Sequence, residues 1–281
     1  MGIMQIEKAA EIGFCTGVRR AINMIERAAA ELGPLQTLGP VVHNQQVVDR
    51  LAERGVTVAE SLDQLKRDIL CISSHGVGPQ VTQAAEERGI KIIDTTCPFV
   101  RRTQVAAKRL ANSGFSVIVF GDENHREVQG VLGYAGEKGI ATVVVPPFMK
   151  LSSRIGILSQ TTQSFTAFHN FVSAFVQAHL ESITELRVVN TICDATRKHQ
   201  EAALELAKRS DIMLVVGSHG SANTKRLAEL CSTLVATHHI ETAREIDSAW
   251  LGGVERVGIT AGASTPDEVI DEVIMRLRKM S

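Results

Sequence analysis

The sequence has almost no net charge, no long apolar run and no closely spaced pair of cysteines. A net charge of −1 over 281 residues leaves no large basic field that would hold nucleic acid or an anionic membrane. Apolar runs such as Ala141–Val145 are far too short to span a bilayer. The first residues lack a basic region followed by an apolar core, so no secretory signal is expected. We therefore expect a soluble, cytoplasmic protein with neither a nucleic-acid nor a membrane partner.

The five cysteines are an odd number in a chain without a visible secretion signal. A disulfide framework is therefore not expected, and metal binding or catalysis is favoured for some of the thiols. Cys71 lies in the apolar run Ile69–Ile72, and Cys231 follows a helical pattern. Both are predicted to pack in the core as small apolar side chains.

The other three cysteines, Cys15, Cys97 and Cys193, each begin a repeat with the same spacing. Arginine follows each cysteine at +4 and a second cation at +5. An apolar run then ends on a glycine at +24, and a polar residue stands at +28. The polar residues are His43, His125 and Ser221. The second and third copies align without a gap at an offset of 96 residues, with ten identities over 35 positions. Because the three segments share the same spacing of cysteine, cations, glycine and polar residue, they indicate an internal structural repeat.

Predicted strands alternate with helices of ten or more residues, which is typical of parallel α/β sheets. The helix after Cys15 is predicted to end at Gly33-Pro34, and a first short strand is predicted over Ile3–Ile6. The sequence predicts three small parallel-sheet α/β modules related by a pseudo-threefold axis. Their predicted ranges are residues 1–96, 97–192 and 193–281.

The repeat cysteines are predicted at strand-to-helix junctions, the edge of an α/β sheet where ligands collect. Modules facing one axis would bring three thiols together, and helix N-termini with nearby cations would lower the thiol pKa. Three chemistries fit this pattern: unreactive core cysteines, a zinc site with three thiolates, and an iron–sulfur cluster with one iron lacking a protein ligand. The absence of a C-x-x-C pair argues against structural zinc, but the spacing alone leaves the three possibilities open.

Polar side chains gather at predicted strand ends, many of them beside glycine. Such histidines and short hydroxyl or amide side chains suit phosphate groups. This strand-end set comprises His43, His75, His125, Thr161, Thr162, Ser221, Asn223 and Ser264. Glu127 is the one carboxylate among them, and it is either a general acid or a solvated loop residue.

Seven motifs, in order and spread over nearly the whole chain, carry a family resemblance. They are Gly13–Ala21, Leu38–Asn44, Ser74–Pro79, Asp94–Pro98, Ser159–Thr162, Ile192–Thr196 and Thr260–Ser264. Together they resemble the IspH or LytB family of 4-hydroxy-3-methylbut-2-enyl diphosphate reductases. The resemblance implies three α/β modules around a central [4Fe–4S] cluster whose ligands would be Cys15, Cys97 and Cys193.

The resemblance also implies the last step of the non-mevalonate isoprenoid pathway. An allylic alcohol diphosphate would be reductively dehydroxylated, with two electrons and two protons, to isopentenyl and dimethylallyl diphosphate. The electrons would come from a donor such as reduced ferredoxin or flavodoxin. Glu127 would supply a proton, helped by His125 and Thr161. The diphosphate would be held by His43, His75, His125, Thr162, Ser221, Asn223 and Ser264.

The chain departs from the family pattern at two places. It reads Asn124-His-Arg-Glu127 where the family usually reads Gly-His-Pro-Glu, which alters how that loop is held. It has Ala222 where the family usually has serine, which removes one hydroxyl donor. A hydrogen bond to a charged group is worth ~1.5–3 kcal/mol, so weaker diphosphate binding is expected.

Two rival functions come from other classes. One is a zinc- or thiolate-dependent phosphoryl hydrolase that uses the same phosphate-binding residues. The other is a non-catalytic relative that binds a diphosphate or an iron–sulfur cluster. Visible colour distinguishes the first from the reductase, and loss of turnover on Glu127→Gln distinguishes the second.

Overall fold

The computed structural model describes residues 4–147 and 151–280. Within these ranges, twelve strands form three four-stranded sheets in which every neighbouring pair is parallel, and nine α-helices connect them. None of the helices in the described ranges is long and apolar enough to cross a membrane.

The first sheet has the strand order β3-β2-β4-β5. Its strands are β2 (Leu35–Leu38), β3 (Val56–Ala59), β4 (Ile69–Ile72) and β5 (Lys91–Asp94). The helices around it in sequence are α1 (Thr16–Leu32), α2 (Gln45–Glu53) and α3 (Pro79–Glu87). Helix α1 ends before Gly33, as the sequence predicts, because glycine takes the left-handed conformation there (φ 80°).

The second sheet repeats this order as β7-β6-β8-β9. Its strands are β6 (Ser116–Phe120), β7 (Gly139–Thr142), β8 (Arg154–Ser159) and β9 (Glu185–Val189), and its helices are α4 (Pro98–Asn112), α5 (Arg126–Ala135) and α6 (Phe165–His179). Side chains alternate along the central strand, as strand geometry requires. Val117 and Val119 pack against α4 and α5, whereas Ile118 and Phe120 pack against the phenylalanines of α6.

The third sheet has the order β1-β12-β10-β11. Its strands are β1 (Gln5–Lys8), β10 (Ile212–Val216), β11 (Ala236–Ile240) and β12 (Arg256–Ala261), and its helices are α7 (Asp194–Ala207), α8 (Ala222–Ser232) and α9 (Asp267–Met280). Apolar clusters cover both faces, with α9 on one side and α7 and α8 on the other. The sheet is therefore buried on both faces, as parallel sheets generally are.

The three sheets confirm the predicted fold class of three parallel-sheet α/β modules. The repeat also holds in detail, because α4 and α7, β6 and β10, and α5 and α8 each begin 96 residues apart. The arrangement of the modules about a threefold axis stays a prediction.

The first strand belongs to a different sheet from the one that the range 1–96 implies. Strand β1 pairs with β12 of the third sheet, in the register Gln5↔Arg256. The repeat explains this pairing, since β5 precedes Cys97 and closes the first sheet, and β9 precedes Cys193 and closes the second. The strand before Cys15 closes the third sheet by the same rule. It spans Gln5–Lys8 rather than Ile3–Ile6, and Ile3 lies outside the described residues.

The described residues form two compact units. One contains the third sheet and comprises the described residues of Met1–Arg19, Val42–Asp49 and Asp194–Ser281. The other contains the first and second sheets and comprises the described residues of Arg20–Val41 and Arg50–Cys193. The module limits at residues 96 and 192 stay predictions.

Cys71 and Cys231 lie in the core, as predicted. Both side chains are fully buried, and Cys231 packs against α7 and the third sheet. Burial raises the pKa of each thiol to about 11, so neither forms a thiolate at neutral pH.

Candidate functional site

Each repeat cysteine immediately precedes a helix. Helices α1, α4 and α7 begin at Thr16, Pro98 and Asp194, one residue after Cys15, Cys97 and Cys193. All three cysteines are partly buried. The predicted strand-to-helix junctions are therefore present in each module.

The backbone N–H of each repeat cysteine makes the same hydrogen bond. It donates to the carbonyl of the second residue beyond β12, β4 or β8, at 3.2, 3.0 and 3.0 Å respectively. The accepting residues are Ala263, Ser74 and Thr161. The residue after each acceptor belongs to the strand-end set, and these residues are Ser264, His75 and Thr162. The repeat thus places the backbone of each cysteine at the carboxyl end of a sheet, bonded to the residue that precedes one predicted phosphate-binding residue.

The predicted lowering of the thiol pKa is wrong for Cys15. Burial raises the pKa of this thiol, and the N–H groups of Val18 and Gly17 lower it by less. The nitrogen of Val18 lies 3.4 Å from Sγ, so the first turn of α1 does direct a donor at the sulfur. Desolvation outweighs these donors because the thiolate would be charged in a largely buried place.

The arginine at +4 of each repeat pairs with a carboxylate. These carboxylates stand on the same helix or on a nearby element of the same unit. The pairs are Arg19 with Asp267 at 3.7 Å, Arg197 with Glu201 at 2.8 Å, and Arg101 with Asp94.

The polar residues at +28 lie at helix N-termini. His125 caps α5 by accepting the N–H of Glu127 at Nδ1 (3.1 Å), and Ser221 caps α8 by accepting the N–H of Thr224 (3.3 Å). In the first module the cap shifts by one residue, since the Asn44 side chain accepts the N–H of Val47 at 3.1 Å.

Glu127 is a buried carboxyl in the first turn of α5, with 2 % of its surface exposed. Its Oε1 accepts the N–H of Thr161 at 2.7 Å, and its Oε2 accepts the Thr161 hydroxyl at 2.7 Å. Burial raises the pKa of Glu127 to about 7, although both hydrogen bonds lower it. The solvated-loop interpretation of this residue is therefore wrong. A carboxyl with this pKa can hold and release a proton at neutral pH.

Thr161 joins this carboxyl to a repeat cysteine. Its N–H and hydroxyl bind Glu127, while its carbonyl accepts the N–H of Cys193 at 3.0 Å. One residue thus fixes both groups at the carboxyl end of β8.

His75 and His125 meet edge to face in the same unit, with ring centroids 5.5 Å apart and planes at 83°. Because Nδ1 of His125 accepts the N–H of Glu127, the neutral ring carries its proton on Nε2. His125 is thereby set to donate a hydrogen bond from Nε2.

The unit with the third sheet places an unsatisfied amide at the start of α8. Asn223 is 6 % exposed, and neither its amide nitrogen nor its oxygen has a hydrogen-bond partner in the described part of the chain. An unsatisfied buried polar group costs ~1–3 kcal/mol. Ser221 and Ala222 precede it at the helix N-terminus, an environment that favours anions.

Sequence reasoning missed Gln160. Its Oε1 accepts the N–H of Asp122 at 3.2 Å, and its Nε2 donates to the Thr162 hydroxyl at 3.2 Å. It therefore ties the loop after β6 to Thr162. The signal was present, because Gln160 stands inside the motif Ser159–Thr162.

Each unit holds part of the predicted site. The unit with the third sheet holds Cys15, His43, Ser221, Asn223 and Ser264. The unit with the first and second sheets holds Cys97, Cys193, His75, His125, Glu127, Thr161 and Thr162.

The chain has close relatives that it matches along nearly its whole length. A protein of Dehalococcoides mccartyi (strain CBDB1), named 4-hydroxy-3-methylbut-2-enyl diphosphate reductase, is 50 % identical over 281 residues, which cover 99 % of each chain. A protein of the same name from Geobacter sulfurreducens is 46 % identical over 284 residues, which cover 98 % of each chain.

Solved structures resemble the chain as well. A structure of (E)-4-hydroxy-3-methyl-but-2-enyl diphosphate reductase, described as the terminal enzyme of the non-mevalonate pathway, shares 38 % identity and a TM-score of 0.72, covering 98 % of this chain and 99 % of that one. The E-1-hydroxy-2-methyl-but-2-enyl-4-diphosphate reductase of Plasmodium falciparum shares 27 % identity and a TM-score of 0.89, covering 97 % and 87 %. A family model described as LytB protein matches residues 6–278, and the chain belongs to this family.

Proposed function

We propose that the chain is a reductase that converts 4-hydroxy-3-methylbut-2-enyl diphosphate to isopentenyl and dimethylallyl diphosphate. Relatives of the same length carry this enzyme's name, and the chain belongs to their family. The observation that carries the proposal is the buried Glu127 carboxyl, which has a pKa of about 7 and is tied through Thr161 to Cys193. A proton source in the same unit as a candidate ligand cysteine suits the reductive loss of a hydroxyl group.

The proposed ligands of a [4Fe–4S] cluster are Cys15, Cys97 and Cys193. Three thiols without C-x-x-C pairing suit a soft iron–sulfur centre better than structural zinc. The equivalent backbone hydrogen bonds of the three cysteines, and the Val18 N–H directed at the Cys15 sulfur, fit thiolates held at helix N-termini. When bound, such a cluster supplies electrons and a Lewis-acidic iron without a protein ligand.

The proton chemistry belongs to the chain's own side chains. The substrate alcohol takes up two electrons and two protons, its C–O bond breaks, and water leaves. Glu127 is protonated below its pKa of about 7 and delivers a proton to the departing oxygen. Thr161 holds the carboxyl in place, and His125, whose Nδ1 accepts the N–H of Glu127, offers its Nε2–H as a second donor.

The diphosphate would be bound by side chains that donate hydrogen bonds. Asn223 is the most informative of them, because its buried amide lacks a partner that a phosphate oxygen would provide. The N-terminus of α8 adds the favourable end of a helix dipole. The other proposed contacts are His43, His75, His125, Thr162, Ser221 and Ser264.

The chain needs an external electron donor for this reaction, and we propose a small redox protein such as reduced ferredoxin or flavodoxin. The cytoplasmic location also stays a prediction. No observation favours the hydrolase or the non-catalytic relative over the reductase, since the full-length relatives carry the reductase name.

Iron and sulfide analysis under anaerobic conditions, with a visible spectrum, tests the cofactor. We expect about four irons per chain in the wild type and a sharp fall in Cys97→Ser. Cys71→Ser is the matched control, because Cys71 lies in the core of the first sheet and should leave the iron content unchanged. A colourless protein containing one zinc would favour the hydrolase, and a brown protein without turnover would favour the non-catalytic relative.

A further inference from the structure

Helix α5 contacts the module of the first sheet, which comprises β2–β5 and their connecting segments, at both of its ends. At its C-terminal end, Gly133 approaches Gly78 so closely that a methyl group on Gly133 would lie 2.9 Å from the Gly78 Cα. Gln80 Nε2 also donates to the Gly133 carbonyl at 3.4 Å. At its N-terminal end the contact is made by Arg126, the first residue of the helix.

The Arg126 guanidinium binds at the carboxyl ends of β2 and β3. Its Nη2 lies 2.6 Å from Oε2 of Glu60, which directly follows β3. Its plane lies on Gly39, which directly follows β2, and any side chain at Gly39 would overlap the guanidinium. Gly39 also has a φ of 71°, which favours glycine, and its N–H donates to the Ala59 carbonyl at 2.8 Å. The Arg126 guanidinium therefore packs on the Gly39 backbone and pairs with the Glu60 carboxylate.

The position of Arg126 in the chain gives this contact its meaning. It stands between His125 and Glu127, so its contacts with Glu60 and Gly39 act directly on the first turn of α5. The second sheet holds the same turn through the bonds of Thr161 to Glu127, and the first sheet's module also holds it through the ring contact of His75 with His125. The first turn therefore carries both proton-handling residues while being held from two modules.

We infer that Arg126, with Glu60 and Gly39, is a positioning residue. It keeps the first turn of α5 ordered against the first sheet's module and so aligns Glu127 and His125 for proton delivery. The inference rests on the proposed function for its consequence in catalysis. Its structural part, the ordering of the turn, is independent of that function.

An ordinary surface ion pair on the same module provides the matched control. Arg88 lies 2.6 Å from Asp63, the same separation as in the Arg126–Glu60 pair, and neither residue contacts a proposed site residue among the contacts of the described chain. The Arg88 side chain is 48 % exposed and that of Arg126 37 %. The two pairs differ mainly in their surroundings, because Arg126 lies next to His125 and Glu127 whereas Arg88 does not. Variants of the two pairs are therefore directly comparable.

We expect Arg126→Ala to lower kcat about tenfold, because small displacements of a catalytic group are costly. The pH profile should change as well. Burial is what raises the pKa of Glu127, so a looser turn admits water and lowers that pKa. Turnover needs the protonated carboxyl, so kcat falls as the pH rises through the pKa of Glu127. In a plot of kcat against pH, this high-pH fall should therefore occur at a lower pH in Arg126→Ala than in wild type. A merely structural surface residue would leave this high-pH fall in place.

The decisive experiment is a double-mutant cycle combined with hydrogen exchange. Arg126→Ala, Glu60→Ala and the double variant should lose similar activity, because either change breaks the same contact. In the protein without substrate, the backbone amides of Glu127, Val128 and Gln129 should exchange faster in Arg126→Ala than in wild type. Arg126→Lys keeps the charge without the planar contact on Gly39, and should give an intermediate result. Arg88→Ala and Asp63→Ala should match wild type.

Losses of activity that add in the double variant would overturn the inference. So would an Arg126→Ala variant in which both the hydrogen exchange of the first turn and the pH dependence of kcat match wild type. A wild type with an intact cluster but no reductase activity would overturn the proposed function instead. The exchange data would then still decide whether Arg126 orders the turn, so the two failures are distinguishable.

Discussion

Glu127 and Asn223 occupy the same position of the repeat, 96 residues apart, and their surroundings differ. Each lies in the first turn of a helix that follows a central strand, and each is buried. Thr161 gives Glu127 two hydrogen bonds, whereas Ala263, which stands at the equivalent place beyond β12, has no hydroxyl to offer. Asn223 has no side-chain hydrogen-bond partner within the described residues.

The difference shows how one backbone geometry supports two tasks. A buried group that the protein itself satisfies needs no ligand, and burial then adjusts its pKa for proton transfer. A buried group that the protein leaves unsatisfied is stabilised only when something binds to it. Glu127 is therefore expected to act on turnover, and Asn223 on substrate affinity.

The largest expected effect comes from Glu127→Gln. An amide keeps the shape and can still bind Thr161, but it cannot deliver a proton, so kcat should fall ~10²–10⁴-fold with the cluster intact. Steady-state kinetics and iron analysis measure both quantities. Glu123→Gln, four residues earlier on an exposed loop, should behave like wild type. Unchanged turnover in Glu127→Gln would remove Glu127 from the mechanism.

Glu127→Gln should also change the stability of the protein, in a direction that follows from the raised pKa of Glu127. The pKa of Glu127 is about 7 in the folded protein, above the ordinary value of 4.5, so between these two pH values the folded state binds more protons than the unfolded state. Its contribution to stability is therefore present below pH 4.5 and is lost as the pH rises through 7. Thermal unfolding above pH 7 should show Glu127→Gln more stable than wild type by ~2–3 kcal/mol. Equal stability at pH 8 would mean that the carboxylate is well solvated.

Asn223→Ala should affect binding instead. Loss of a hydrogen bond to a charged phosphate should raise KM ~10–100-fold, while kcat changes little. The variant also removes an unsatisfied buried amide, so its melting temperature should not fall below that of wild type. Asn112→Ala, on the exposed end of α4, is the control for asparagine replacement in general. A large loss of stability in Asn223→Ala would show that the amide is satisfied within the protein.

The sequence predicted the repeat-level features of the fold because they are local. The strand-to-helix junctions at the cysteines, the glycines after the central strands and the end of α1 at Gly33 follow from spacing and apolar periodicity over a few tens of residues. The offset of 96 residues between the second and third copies is preserved from α4 and α7 onwards. The parallel sheets follow from alternation of strands with helices.

Features that depend on distant residues were not predictable in the same way. The pairing of β1 with β12 joins strands at opposite ends of the sequence. The raised pKa of Cys15 and that of Glu127 depend on how much of the surrounding chain buries them. The motif pointed to Glu127, but only the fold shows that Thr161 holds it and that Arg126 reaches Glu60.

The smallest expected effect comes from Thr161→Val, which makes the surroundings of Glu127 resemble those of Asn223. The hydroxyl disappears while the Thr161 N–H still binds Glu127, so turnover should fall only a few-fold, by about the worth of one hydrogen bond. Because the lost hydrogen bond lowers the pKa of Glu127, its removal should raise that pKa. The falling limb of kcat against pH should then move to higher pH, opposite to the shift expected for Arg126→Ala. Thr103→Val, at a buried threonine of α4, should leave the limb unmoved. A shift to lower pH in Thr161→Val would mean that water enters beside Glu127, and that the loss of burial outweighs the loss of the Thr161 hydroxyl.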